Sequence, residues 1–146
     1  MPLGSQRPTG FSLIECLVAL IVLSIGLLGV SKMVVNSLQF SDSALMQSQS
    51  VIMAYDLADK IRANEGNSSS YEIDLGEAVA QVPDCGANNC SGPQLAQADL
   101  ADWKDSLSAA LPLGDGQSVV AGNVATITVS WNDRGQARNF AIAITL

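Results

Sequence analysis

"GFSLIECLVALIVLSIGLLGV", residues 10–30, decides the fold. From Cys16 to Val30 the chain carries no charge, and Lys32 ends the uncharged stretch. With Phe11–Ile14 added, the run approaches the ~20 residues that cross a hydrocarbon core. One acid, Glu15, stands at its head. Its nearest opposite charge in sequence is Arg7, beyond a Pro-Thr-Gly break. An ionisable group at the centre of a membrane helix costs roughly 2.5–3.5 kcal/mol, less near the interface. Such groups are functional candidates by default. A cleaved secretory signal requires a small-residue site after the apolar run, and "SKMVVNSLQFSDS" after Val30 has none of that form. A simple anchor accounts for the apolar run and leaves Glu15 without a reason.

The rest of the composition narrows the function. The chain has 146 residues, one domain by size, and a net charge of −7. All its acids except Glu15 and Asp133 fall between Asp42 and Asp115. That balance argues against nucleic-acid binding, which depends on Lys and Arg neutralising phosphates. There is no histidine, which removes the common Ser-His-Asp and Cys-His nucleophiles and most zinc sites. The acids lie on an amphipathic helix and polar loops, where a solvated face accounts for them. No catalytic residue, metal ligand or cofactor is expected.

A short basic leader, Gly10, the aromatic Phe11, and Glu15 opening a retained apolar helix together resemble the class III signal of type IV pilins and pseudopilins. The resemblance implies cleavage by a prepilin peptidase between Gly10 and Phe11, on the cytoplasmic side. It implies N-methylation of Phe11, the new first residue. It also gives Glu15 a role in subunit assembly, pairing with the amino terminus of a neighbouring subunit. In low dielectric that attraction is strong and an unpaired charge is very unfavourable, so the pair would select register. The family has an α+β fold, a long N-terminal helix packed on a small antiparallel sheet. Major pilins tend to carry a proline near the position of Lys32, and this chain does not.

The remaining residues lead to the same fold class by periodicity. Met46, Met53, Leu57 and Ile61, flanked by Ala54 and Ala58, continue the helix on an amphipathic face. A helix from Phe11 to Asn64 would be about 80 Å long, and Gly66 is the expected C-cap. Residues 67–92, rich in Ser, Asn and acids, are expected to be loop. Within them, Cys85 and Cys90 bracket Gly-Ala-Asn-Asn. Export to an oxidising compartment would favour a disulfide there; a metal site is the alternative, disfavoured by two thiols without histidine. Cys16 is expected to behave as a small apolar residue. Leu100, Trp103, Leu107 and Leu111 predict a second helix over 93–111, with Trp103 in its apolar stripe. "VATITVSW" (124–131) and "NFAIAITL" (139–146) alternate as half-buried strands around the turn "NDRG", and a shorter strand over 117–121 turns at Gly122-Asn123. The expected organisation is leader 1–10, transmembrane helix 11–32 and periplasmic domain 33–146, the latter with helix 33–64 and strands within 117–146.

"AYDLADKIRAN", the Leu-Ala-x-Trp helix at Trp103 and the closing "ITVSWNDRG" extend the resemblance to the PilV group of minor pilins. The Cys85/Cys90 pair lies after the first helix, and the cysteines present allow no C-terminal disulfide loop, unlike major pilins. The implied role is non-catalytic: priming pilus assembly in a minor-pilin tip complex, with effects on twitching motility and adhesion. The implied partners are other minor pilins, the major pilin, a tip adhesin and the inner-membrane assembly platform. The implied location is the inner membrane before assembly and the pilus afterwards. A minor pseudopilin of type II secretion would share the leader, Glu15 and the helix, although "YEIDLGEAVAQVPDC" lacks a compact calcium loop. A membrane-anchored periplasmic binding module is the reading from a different class.

Overall fold

A computed structural model describes residues 10–79, 84–86 and 89–146 and divides the chain into two compact units, Met1–Ser41 and Asp42–Leu146. In the first unit, the uncharged run has good helix formers and no proline, and it forms the first part of helix α1 (Leu13–Ala63). Its apolar side chains are exposed along the whole described length. This is a helix long and apolar enough to cross a membrane. Its few polar side chains remain compatible with that: Ser24 Oγ donates to the Leu20 carbonyl at 2.7 Å and Ser31 Oγ to that of Leu27 at 2.8 Å, so neither hydroxyl needs water.

In the second unit, the outer turns of α1 bury Ser50, Ala54, Leu57, Ala58 and Ile61. The spacing is that of one helical face. Small residues at Ser50, Ala54 and Ala58 let neighbours approach closely, and the Ser50 hydroxyl donates to the Gln47 carbonyl at 2.8 Å. Helix α2 (Gly92–Ala110) starts with Pro93 in its first turn, and Gln94 Oε1 accepts the Ser91 backbone N–H at 2.9 Å. It buries Ala96, Leu100, Trp103 and Leu107. The Trp103 indole N–H donates to the Met53 carbonyl of α1 at 3.0 Å, so Trp103 is a core residue with its polar atom satisfied.

Strands β1 (Asp115–Ala121), β2 (Val124–Asp133) and β3 (Gln136–Thr145) form an antiparallel meander in the order β1-β2-β3. Ala125, Ile127, Val129 and Trp131 alternate inward on β2, and Phe140, Ile142, Ile144 and Leu146 pack from the last strand and its end. Gly122 at φ +61° turns the first hairpin. Arg134 and Gly135, at φ +54° and +83°, turn the second. Two central residues with positive φ are what a tight hairpin with the right strand twist needs. The fold is α+β, a long N-terminal helix, a second helix and a three-stranded antiparallel sheet, the expected fold class.

Three expectations are corrected. Gly66 does not cap α1 in a left-handed conformation; it lies within a 3-10 segment, Glu65–Tyr71, that continues the chain. Residues 67–92 are not all loop. Tyr71 and Ile73 enter the core, and Ile73 pairs with Ser118 through two backbone hydrogen bonds of 3.0 and 2.9 Å. Two large apolar residues two apart are enough to pin a polar segment to a sheet edge. Strand β1 begins at Asp115 instead of 117, because Gly116 lets the Trp103 ring and Leu107 lie directly against the backbone.

Candidate processing and assembly site

Gly10, Phe11 and Ser12 precede α1 in non-helical backbone, and all three are exposed. The peptide bond between Gly10 and Phe11 is therefore neither buried nor committed to a helical hydrogen-bond ladder. The first turn is tied to Ser12, whose carbonyl accepts from the N–H of Glu15 at 3.0 Å and of Cys16 at 3.3 Å. A Cβ on Gly10 would meet no atom within 4 Å, and its φ is not in the left-handed region. No packing among the described residues requires glycine there. The leader residues 1–9, including Arg7, lie outside the described residues.

Glu15 sits in the first turn of α1, where the helix dipole favours a carboxylate. It is exposed and makes no ion pair among the described residues. A lone acid on an apolar helix is stable in lipid only with a partner, and none of the ion pairs among the described residues includes Glu15. Phe11 is 80 % exposed and lies four residues before it, so the amino group that cleavage would create belongs to the same end of the helix.

In the second unit Cys85 and Cys90 are joined in a disulfide, while Cys16, in the first unit, is free and exposed. Ala87 and Asn88, inside that ring, lie outside the described residues. Among the described residues no three His, Cys, Asp or Glu side chains converge as metal ligands. Glu72, Asp74 and Glu77 line an open cleft of about 330 Å³, and two of these carboxylates, Asp74 and Glu77, are engaged within the fold. Asp74 Oδ1 accepts from Gln117 Nε2 at 2.8 Å, and Glu77 Oε2 accepts from the Asp74 N–H at 3.0 Å.

Sequence reasoning missed the polar networks that hold the domain. Tyr71 is buried, and its hydroxyl donates to Asp99 Oδ2 at 2.7 Å. Burial, then this hydrogen bond, pushes the Tyr71 phenol up to about 12. Asn64 Nδ2 donates to the Gly92 carbonyl at 2.8 Å and Asn67 Nδ2 to Asn64 Oδ1 at 2.8 Å. A Cβ on Gly92 would overlap the Asn67 side-chain amide. These residues fasten the end of α1 to the start of α2 across 28 positions, and no local sequence signal announces them.

An exposed, non-helical Gly10–Phe11 bond, an acid at Glu15 and a long apolar helix ahead of a sheet domain are the features of a prepilin-type, membrane-anchored chain. Residues 6–31 match the family of the prokaryotic N-terminal methylation motif, and residues 32–101 match the family of type IV pilin Tt1218. The two matches abut. The chain belongs to the type IV pilins, a structural and not an enzymatic family. No curated protein and no solved structure matches it significantly.

Proposed function

We propose that this chain is a minor pilin of the PilV type that helps prime type IV pilus assembly. The observation that carries the assembly role is Glu15: one carboxylate on an apolar helix, with no cation in reach among the described residues. Prepilin peptidase cuts between Gly10 and Phe11 at the cytoplasmic face and methylates Phe11. The resulting amino group, still able to carry positive charge, pairs with Glu15 of a neighbouring subunit. A subunit out of register leaves both charges unmatched in a low-dielectric environment, which costs several kcal/mol. The pair therefore selects register during assembly.

The minor-subunit assignment rests on the Cys85–Cys90 ring after the first helix and on the PilV-like stretches around Trp103 and at "ITVSWNDRG". The second unit faces the periplasm before assembly. The partners are other minor pilins, the major pilin, a tip adhesin and the inner-membrane platform. In a pilus-forming host, Glu15→Ala should insert in the membrane and be cleaved, yet fail to support surface pili. Amino-terminal sequencing should begin at methylated Phe11. Pili at normal level with Glu15→Ala, or an uncut Met1 terminus, overturns the proposal. Intact pili with lost exoprotein secretion in a deletion strain would instead assign the chain to a type II secretion pseudopilus. If neither pili nor secretion changes, a membrane-anchored binding module takes its place.

A further inference from the structure

Leu113, in the turn between α2 and β1, is 84 % exposed, more than any other large apolar residue among those described. It also holds φ at +52°. A bulky aliphatic residue is a genuine outlier there, because its Cβ crowds the backbone. Glycine or asparagine would relieve the conformation. The turn cannot relax around Leu113. Leu111 is buried, the Gly114 N–H donates to the Leu111 carbonyl at 2.9 Å, and the Asn132 N–H donates to the Pro112 carbonyl at 2.8 Å. The fold thus holds an apolar side chain out into solvent in a conformation that opposes folding. Strain of this kind persists where the surroundings over-determine it, and it clusters at functional sites.

The surface around Leu113 is shaped for a protein contact. A cleft of about 180 Å³ lies beside it, lined by Leu113, Ser130, Trp131, Asn132 and Ala137. A second cleft, about 550 Å³, shares Ser130 and Ala137 and runs to Leu75, Arg138 and Asn139. Leu75 is 48 % exposed. The buried Trp131 Nε1 has no hydrogen-bond acceptor among the described residues. Arg138 makes no ion pair among the described residues, in a chain of net charge −7. Two exposed leucines beside an unpaired guanidinium call for an apolar socket with a carboxylate at its rim.

We propose that this corner docks a neighbouring pilus subunit, with Leu113 as the anchor in that subunit's apolar socket and Arg138 pairing with its carboxylate. The proposal rests on the pilus reading above and adds the contact surface. The strain on Leu113 gives the test two opposed readouts. In the full-length protein in detergent, Leu113→Gly and Leu113→Asn should each raise the unfolding midpoint by about 2–6 °C, since the left-handed turn is relieved. In cells the same variants, correctly processed, should lower surface piliation at least tenfold, and Arg138→Glu should do so without the gain in midpoint. A midpoint that falls or stays put in both Leu113 variants, or normal piliation in both alongside lost piliation in Glu15→Ala, overturns the docking surface alone. Normal piliation in Glu15→Ala as well as in the Leu113 variants overturns the pilus reading and the surface with it.

Discussion

The Lys104 ammonium lies 2.6 Å from Asp115 Oδ1 and donates to the Asp74 carbonyl at 2.9 Å, so one side chain of α2 fixes both the first residue of β1 and the segment leading past it. The pair is partly withdrawn from water, with side-chain exposures of 13 % and 29 %. Asp115 also accepts the N–H of Gly76 at 2.6 Å and of Gly116 at 2.7 Å. Burial pushes its carboxyl up, but the Lys104 hydrogen bond and the two backbone N–H groups outweigh it and hold the pKa below the usual value.

Lys104→Met is therefore expected to cost about 1–3 kcal/mol at neutral pH, because it leaves a partly buried carboxylate without its strongest donor. The sign of the pH dependence follows from the lowered pKa. The stability is present above the unfolded-state value of about 3.9 and is lost as pH falls through the lower folded value. Urea unfolding of wild type and Lys104→Met at pH 7 and at successive steps below pH 4 checks this. The gap between the two proteins should shrink on acidification.

Tyr71 gives the mirror case at high pH. Its pKa is raised to about 12, so its contribution is complete below the unfolded value of about 10 and is lost as pH rises towards 12. An absorbance titration should show one tyrosine ionising near 12. Tyr71→Phe should cost about 1–2 kcal/mol at pH 7 by leaving Asp99 without this donor, and should flatten the loss of stability between pH 10 and 12.

The fold class was legible because its signals are local. An uncharged run, a 3.6-residue stripe and two alternating strands each show within ten to twenty letters, and the Trp103 stripe read correctly as core. The N-terminal methylation motif was legible for the same reason, since it is a linear pattern within residues 6–31. What stayed hidden depends on partners far apart in sequence. Tyr71 finds Asp99, Trp103 finds the Met53 carbonyl 50 residues away, and Asp115 finds Gly76 39 residues away. A polar stretch such as 67–79 has no periodicity that marks Tyr71 and Ile73 as buried. Ser50 is a polar letter on a buried face, made tolerable by a hydrogen bond only three residues back.

At Gly116 the sheet and α2 are in close contact. A Cβ there would overlap Trp103 Cη2 and Leu107 Cδ1. Both are core atoms of well-packed side chains, so neither can swing into solvent. Gly116→Ala should destabilise by about 1–3 kcal/mol through overpacking, in spite of alanine's better strand propensity. Thermal unfolding should show the loss. A midpoint at or above that of wild type would mean that α2 can shift away from β1 without penalty.

The Cys85–Cys90 bond closes a ring with a sequence separation of only 5. Its stabilisation by the chain-entropy account is therefore small, about 2 kcal/mol at most, because the effect grows with the length of the closed loop. Neither cysteine takes part in the core. Reduction, or the double variant Cys85→Ser with Cys90→Ser, should lower stability by no more than that amount and leave the helix and sheet content unchanged. Circular dichroism and urea unfolding with and without reductant check both points. A loss of about 4 kcal/mol or more would mean that the ring clamps the segment before α2, and that Tyr71 and Ile73 depend on it to reach their buried positions.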